Sequence, residues 1–367
     1  MQTRIPCVLM RGGTSRGPYF LASDLPEDTA TRDAVLLAAM GSPHQLQVDG
    51  IGGANTLTSK VAIVSRSAEP GVDVDYLFAQ VAVDRAVVDT RPNCGNMLAG
   101  VGPFAIEAGL VPVQGRETLV RIRNRNTGAL VEAVVQTPDG AVTYEGDAAI
   151  PGVNGTAAPI QLRFREVAGA KTGRLFPTGR RTETIEGVAV TLVDCAMPVM
   201  LLRAADVGAD ADAAPAAIDG DKALLARLEA LRLEAGRRMG FGDVTDSVVP
   251  KVALLGPAAA GSGAALAARY LTPHAVHKSL AVTGGIAIAT AARVPGTVAE
   301  GIAARDEPGM VRIAHPSGVL DVALELNGEE DVAWAGVLRT ARRIFEGNLL
   351  IPARIWAGKQ ALRAAAE

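Results

Sequence analysis

Cys94 and the residues after it form the first candidate for chemistry in this sequence. The stretch "RPNCGNMLAGVGPFAIEAGLV" (91–111) places the cysteine directly before Gly95 and Asn96 and then before an apolar run that predicts a helix. Backbone N–H groups in the first turn of a helix lack partners inside it, and their partial positive charge favours a thiolate. The same N–H groups bind carboxylates. An inert core cysteine is the alternative interpretation.

A second glycine-led helix start follows about half a chain length later. In "AVTGGIAIATAARVPG" (281–296), Thr283, Gly284 and Gly285 precede another apolar helical run, and they offer backbone donors without a thiol. Apolar helices of this kind are expected inside surrounding structure. The spacing of the two starts predicts a duplicated unit, used once in each half of the chain.

Two glycine-rich loops carry the other chemical candidates. "RGGTSRG" (11–17) follows a predicted strand and offers donors that suit a carboxylate or phosphate, with a flexible turn as the alternative. "DGIGGANTLTSKVAIV" (49–64) leads to Lys60 at the start of an apolar strand. A lysine in a desolvated cleft has a lowered pKa and acts as a base near neutral pH, whereas most lysines at strand ends lie at the surface.

The remaining motifs favour structure over chemistry. His274 and His277 have no acidic cluster beside them, so they predict no metal site. The segment 256–269 lacks the Gly-Lys-Ser/Thr ending of a phosphate loop. Cys7 and Cys195 lie within strand patterns and are interpreted as core residues.

Length and composition limit the class of protein. The 367 residues suit two domains, and 49% hydrophobic with 20% charged residues indicates a folded chain. A net charge of -3 and 4% aromatic residues argue against nucleic-acid or anionic-membrane partners. The three cysteines form no CxxC pair, so neither a disulfide framework nor a structural metal is predicted. Neither a signal peptide nor a long apolar span is recognisable, so a cytoplasmic location is expected.

Strand patterns outnumber helix patterns. Antiparallel strands are predicted in segments 72–90, 119–137 (with a hairpin turn at 126–128), 141–152, 159–167, 184–204, 309–326 and 332–351. Helices are predicted at 26–40, 97–108, 221–239 and 286–292. The predicted fold class is α+β, with domains 1–180 and 181–367 and central helices near 95–108 and 284–292. The last strand is allowed to return to the first half.

Five segments, taken in order, resemble one family over nearly the whole chain. They are "RIPCVLMRGGTSRG", "GIGGANTLTSKVAIV", "NCGNMLAGVGPFA", "AVTGGIAIATAA" and "HPSG" (315–318), and they resemble the 2-methylaconitate isomerase (PrpF-like) family. The opening "TRIPCVLMRGGTSRGPYF" and "MGSPHQLQVDGIGGANTLTSK" are most similar to the 4-oxalomesaconate tautomerases within it. The resemblance implies the diaminopimelate epimerase-like fold: two pseudo-symmetric halves, each a curved antiparallel sheet around a central helix, with the ligand between the helix N-termini.

The resemblance also implies roles for individual residues. Lys60 and Cys94 become the acid/base pair beside the substrate. Epimerases of this fold use two cysteines, one at each helix start, so Thr283 at the second start disfavours a two-thiol racemase. Hydroxyls, guanidinium groups, amides and backbone N–H groups would bind the substrate carboxylates and stabilise an enolate. These predicted binding residues are Arg11, Thr14, Ser15, Arg16, Asn55, Thr56, Ser59, Gly95, Asn96, Thr283, Gly284, Gly285, His315 and Ser317.

The predicted function is keto–enol tautomerisation of 4-oxalomesaconate, in gallate-type aromatic degradation, without a metal, nucleotide or redox cofactor. An allylic isomerase of the same compound, or of aconitate or 2-methylaconitate, is the alternative, because the same residues would serve both reactions. A non-catalytic carboxylate-binding protein is the second alternative. The expected partner is a small di- or tricarboxylate, with no nucleic acid and no membrane, and a homodimer is expected.

Overall fold

The computed structural model describes residues 1–272, 274–304, 309–328 and 330–358. In these ranges the strands β1 to β17 are Gln2–Gly12, Ser15–Leu21, Lys60–Arg66, Val74–Val81, Val88–Asp89, Glu117–Asn124, Leu130–Gln136, Ile160–Phe164, Glu183–Ile185, Val188–Asp194, Pro198–Arg203, Lys251–Gly256, Leu266–Leu271, Met310–His315, Gly318–Leu326, Val332–Arg339 and Ala341–Pro352. The helices α1 to α6 are Thr29–Met40, Gly95–Leu98, Val101–Glu107, Pro215–Gly220, Lys222–Arg238 and Val282–Arg293.

The chain divides into two compact units. Unit 1 contains Met1–Leu162 and the segment from Arg339 onward, and unit 2 contains Arg163–Leu338. The change of unit therefore precedes the predicted one at 180. The segment before 180 is held to unit 2 because the buried Asp194 carboxylate accepts backbone N–H groups at 171 and 172, at 2.8 and 2.7 Å. Residues 359–367 of the predicted second domain lie outside the described residues.

The end of the chain returns to the unit that contains its beginning. Strand β17 pairs with β1 in antiparallel register from Gln2 opposite Pro352 to Gly12 opposite Ala341. This pairing places a C-terminal strand beside the hairpin of β1 and β2, whose "RGGTSRG" loop carries several of the predicted binding residues.

Both units repeat one order of strand pairings. In unit 1, β1–β2, β2–β3, β3–β4, β4–β6 and β6–β7 are antiparallel, parallel, antiparallel, parallel and antiparallel in turn. In unit 2, β10–β11, β11–β12, β12–β13, β13–β14 and β14–β15 follow the same order. The predicted α+β class and duplication are confirmed. The sheets are mixed rather than purely antiparallel, because helical crossovers join the parallel neighbours.

Each unit has a hydrophobic core between its strands and a long helix. In unit 1 the core includes Ile5, Cys7, Phe20, Leu36 and Trp356, with α1 packed on the sheet. Burying one such large side chain stabilises the fold by about 1.5–3 kcal/mol. The interpretation of Cys7 as a core residue is confirmed.

The core of unit 2 is built in the same way around α5. It includes Leu192, Met200, Leu228 and Leu254. Cys195 is also fully buried in this unit, which confirms its interpretation as a core residue.

Three predicted elements differ from the structure. The helix expected at 97–108 is divided into α2 and α3, since Pro103 has no N–H to donate to the carbonyl of Ala99. Helix α6 begins at Val282, ahead of the predicted start. The strand expected within 141–152 is absent from this described segment, because glycines and a proline interrupt it and leave one isolated bridge.

Candidate active site

The "RGGTSRG" loop is a tight hairpin turn packed against the start of α2. Gly12 pairs with Ser15, so Gly13 and Thr14 form the two-residue turn, and Gly13 has a φ of 52°. A Cβ on Gly13 would lie 2.2 Å from Oδ1 of Asn96. The Asn96 amide donates to Oγ1 of Thr14 at 3.0 Å. The turn therefore needs glycine, and it joins two of the predicted segments.

Gly17 brings the beginning of β3 into the same place. A Cβ on Gly17 would lie 1.8 Å from the carbonyl oxygen of Lys60 and 3.3 Å from Cε of Met97. Strand β2, the first residue of β3 and the first turn of α2 thus meet at one glycine. Three segments that are far apart in the sequence converge here.

Lys60 lies opposite Gln80 in the β3–β4 ladder. The pairs Lys60–Gln80, Ala62–Phe78 and Val64–Tyr76 share one face of the sheet, because side chains alternate along a strand. The Lys60 Nζ donates to Oε1 of Gln80 at 2.7 Å and lies 5.0 Å from the centre of the Phe78 ring. The amine is therefore held by a neutral acceptor and an aromatic face.

Cys94 is the half-buried N-cap residue of α2. The Tyr76 hydroxyl donates to the carbonyl oxygen of Cys94 at 3.4 Å, and the Tyr19 hydroxyl donates to that of Met97 at 2.5 Å. Burial raises the pKa of both tyrosines well above the usual range, so both hydroxyls remain protonated donors. Tyr76 belongs to the face that carries Lys60. Lys60 is thus part of this face of the ladder, and the backbone of Cys94 is bonded to the same face through Tyr76. Phe78 lies between Tyr76 and Gln80 along the strand.

Two buried polar atoms of strand β2 lack hydrogen-bond partners. Among the residues that the structure describes, Oγ of Ser15 and Nε of Arg16 accept or donate no hydrogen bond. The Ser15 residue is 2% exposed. A Cβ on Gly53 would lie 2.8 Å from Nη2 of Arg16, so the guanidinium borders the loop before Lys60. Buried polar atoms are normally satisfied, and a carboxylate is a suitable acceptor for either of these two.

Arg11 holds the hairpin in place. Its Nη1 donates to the carbonyl of Gly13 at 2.8 Å, and to the carbonyl and Oγ1 of Thr340 at 3.1 and 3.0 Å. Burial lowers the pKa of Arg11, and the nearby Arg342 lowers it further. An arginine nevertheless remains a cation at neutral pH, so Arg11 adds positive charge at the base of the hairpin.

The polar residues before Lys60 form hydrogen bonds that order the loop leading into β3. Asn55 accepts the N–H of Leu57 at 2.8 Å, and the carbonyl of Thr56 accepts from the Gln80 amide at 3.1 Å. The fully buried Ser59 donates to Oε1 of Gln47 at 2.8 Å. The side-chain contacts of Asn55 and Ser59 order the segment that leads into β3.

The other predicted binding residues belong to unit 2. Thr283, Gly284 and Gly285 lie in the first turn of α6, and a Cβ at either glycine would lie within 2.5 Å of Tyr270 or Leu320. These glycines let the helix pack closely against its own sheet.

His315 is the last residue of β14, and Ser317 lies in the turn between β14 and β15. The Ser317 hydroxyl donates to the carbonyl of Lys278, shortly before α6, and Nδ1 of His315 accepts the Ser317 N–H at 3.2 Å. The "HPSG" turn is thereby tied to the segment that leads into α6.

Neither a cluster of potential metal ligands nor a membrane-spanning helix occurs among the described residues. Within the described ranges, no group of three or more His, Cys, Asp or Glu side chains is placed to hold a metal ion. His274 lies 3.7 Å from Glu229, and His277 accepts the N–H of Ser279. None of the helices described is long and apolar enough to span a bilayer.

Four residues that contact Lys60, the Cys94 carbonyl or the loop before Lys60 were not identified from the sequence. They are Gln47, Tyr76, Phe78 and Gln80. Gln80 is a polar residue in an otherwise apolar strand end, and this was the available signal. Its importance depends on the register between β3 and β4, which a single sequence does not reveal.

Comparison with known proteins gives one consistent family. The family profile described as "PrpF protein" matches residues 2–352. A protein of Escherichia coli (strain K12), YbhH, whose name includes isomerase and no substrate, is 53% identical over 350 residues, or 95% of this chain and 99% of that protein. A "(4E)-oxalomesaconate Delta-isomerase" of Novosphingobium sp. (strain KA1) is 49% identical and covers 94% of this chain and 97% of its own. A "4-oxalomesaconate tautomerase" of Pseudomonas putida (strain KT2440) is 49% identical and covers 98% and 99%.

A solved structure supports the fold at high similarity. The crystal structure of a methylitaconate-delta-isomerase matches with a TM-score of 0.89 and 38% identity, over 96% of this chain and 97% of that one. The fold is therefore diaminopimelate epimerase-like, which agrees with the repeated order of strand pairings in the two units.

Proposed function

The chain belongs to the PrpF family, and from this premise we propose that it isomerises 4-oxalomesaconate by proton transfer involving Lys60 and Cys94. The comparisons establish an isomerase of unsaturated carboxylates. The specific substrate and the roles of the two residues are the proposal. The observation that carries it is the attachment of Lys60 and Cys94 to one face of the β3–β4 ladder.

The pair supplies both halves of a proton transfer. An amine and a thiol each exist in a protonated and a deprotonated form that are accessible to general acid–base catalysis. Gln80 and Phe78 hold the amine, and the Tyr76 hydroxyl holds the backbone of Cys94. Both groups are half-buried, so a bound molecule would exclude water from them.

The neighbouring charges suit a polyanion. Arg11, Arg16 and Lys60 contribute positive charge around the hairpin, and Ser15 and Arg16 each have a buried polar atom without a partner among the described residues. A substrate carboxylate that accepts from either atom would remove the cost of leaving that atom unsatisfied. The same donors stabilise the negative charge that develops on an enolate.

The proposed reaction balances without an added reagent. One of the two groups removes a proton from the carbon beside the keto group, and the released electron pair moves to the keto oxygen. The other group then delivers a proton. Delivery to the oxygen completes keto–enol tautomerisation, so no atom or electron is gained or lost.

The second candidate is the allylic isomerase. Here the proton returns to a different carbon and the carbon–carbon double bond moves. The observation that favours it is the 49% identity to a protein named as a (4E)-oxalomesaconate Delta-isomerase, which equals the identity to the tautomerase. The same residues serve both reactions.

Turnover followed by proton NMR in deuterated water tests the proposal. The purified protein is incubated with 4-oxalomesaconate, cis-aconitate or trans-aconitate, without added metal or cofactor. The proposal expects 4-oxalomesaconate to react fastest, with deuterium at one carbon and a change of keto to enol. A displaced alkene signal would favour the allylic reaction. Turnover of an aconitate but not of 4-oxalomesaconate would overturn the assignment of substrate.

A further inference from the structure

The hydrogen bonds of Gln80 determine the orientation of its side-chain amide. Its Nε2 donates to the carbonyl oxygens of Ser59 at 2.9 Å and Thr56 at 3.1 Å. Both carbonyls are acceptors, so the amide oxygen must face the other way, where it accepts from Nζ of Lys60 at 2.7 Å. Gln80 therefore connects the lysine amine to the loop that precedes it.

The acceptor that Gln80 offers is neutral. An acidic side chain at this distance would favour the ammonium form strongly, because an opposite charge within about 4–6 Å shifts a pKa by about 1–3 units. Lys60 forms no ion pair with any residue in the described ranges, and its other close contact is the Phe78 ring. An amide oxygen accepts a hydrogen bond from an ammonium and, more weakly, from a neutral amine, and it favours the ammonium less than a carboxylate does. The amide oxygen thus orients the amine without placing a negative charge beside it.

We propose that Gln80 is a positioning residue for Lys60, which aims the amine through an uncharged hydrogen bond and ties it to the 55–59 loop. This proposal rests on the proposed function, since it assumes that Lys60 transfers a proton. Gln80 itself is not assigned a contact with the substrate. Its contribution is the orientation of a group that must keep both protonation states.

Two variants separate position from charge. Gln80→Leu removes the acceptor and both donors, and a misplacement of about 1 Å at a reacting group lowers turnover by about 10²-fold. We expect kcat to fall at least tenfold while KM changes less than threefold. Gln80→Glu substitutes a charged acceptor and should raise the pKa of Lys60 by about one unit or more. Gln136→Leu is the matched control, because Gln136 is also a strand glutamine with one side-chain bond, to Glu117.

Competitive acetylation with peptide mass spectrometry measures the titration of Lys60 without relying on catalysis. The supporting result is a higher Lys60 pKa in Gln80→Glu, a lower kcat in Gln80→Leu, and a control that matches the wild type, with all three thermal unfolding curves recorded. An unchanged Lys60 titration in Gln80→Glu, or a wild-type kcat in Gln80→Leu, would overturn the role of Gln80. A Lys60→Met variant with full turnover would instead refute the function of Lys60, whatever the titration shows.

Discussion

Substitution of Gly17 by alanine should damage the site through the backbone of Lys60. The added Cβ would lie 1.8 Å from the Lys60 carbonyl oxygen and 2.7 Å from its carbonyl carbon. Real Cβ contacts are essentially never below 3.0 Å, so the two strands must separate by about 1.2 Å. The obstructing atoms are backbone, and no side chain can rotate away.

The expected cost has two parts. Overpacking of this kind destabilises a protein by about 1–3 kcal/mol. A displacement of about 1 Å at a catalytic group lowers turnover by about 10²-fold. We therefore expect Gly17→Ala to unfold at lower denaturant concentration and to lose about two orders of magnitude in kcat on the substrate proposed above.

Chemical unfolding and steady-state kinetics check both parts. Gly220→Ala is the control, because a Cβ there meets nothing within 4 Å and the residue lies in helix α4. That control should stabilise the protein by about 0.4–1 kcal/mol and leave kcat unchanged. A Gly17→Ala protein with wild-type stability and activity would refute the convergence of β2 and β3 at this glycine.

The structure makes three further predictions. Cys94 is half-buried, whereas burial raises the pKa of Cys7 and raises that of Cys195 to about 12. A thiol reagent at neutral pH should therefore modify the folded protein at Cys94, as located by peptide mapping. Modification of Cys195 first would contradict the fold of unit 2. All four tyrosines have a pKa raised mainly by burial. The free energy of unfolding therefore includes the full contribution of their neutral forms below the ordinary tyrosine pKa of about 10, and it loses this contribution as pH rises above that value. Tyrosinate absorbance should therefore appear together with the loss of circular dichroism, and a separate titration of the folded protein near pH 10 would be inconsistent with these contacts. Thr14→Val removes the acceptor of the Asn96 amide and should lower the free energy of unfolding in urea by about 1 kcal/mol. Thr14→Ser keeps the acceptor and should have the wild-type stability. Equal stability of the two variants would argue against this hydrogen bond.

Sequence patterns predicted helix ends and a hairpin correctly where one nearby residue determines the local backbone conformation. Asp221 caps α5 by accepting the N–H of Leu224 at 2.9 Å, and Gly41 ends α1 in the left-handed conformation, as the sequence indicated. The predicted hairpin around residues 126–128 is present between β6 and β7. In each case the deciding residue lies within a few positions of the structure that it causes.

Features that depend on strand pairing were not accessible in this way. The parallel pairs within each unit, and the positions of Gln80 and Tyr76 on the Lys60 face, follow from register between distant segments. The glycines of "RGGTSRG" illustrate the difference. The sequence indicated that a backbone approaches something closely there, and the structure identifies Asn96 and Lys60 as neighbours. The assignment of the predicted binding residues to a substrate stays a prediction.

The central claim is that Lys60 and Cys94 both act on one bound substrate, and paired measurements of binding and turnover test it most directly. Lys60→Met and Cys94→Ala are compared with the wild type on 4-oxalomesaconate, with affinity measured by calorimetry and turnover by NMR. Loss of a general acid or base costs about 10²–10⁴-fold, so each variant should lose at least 10²-fold in kcat while affinity changes only a few-fold. Turnover at the wild-type rate by either variant would contradict the account.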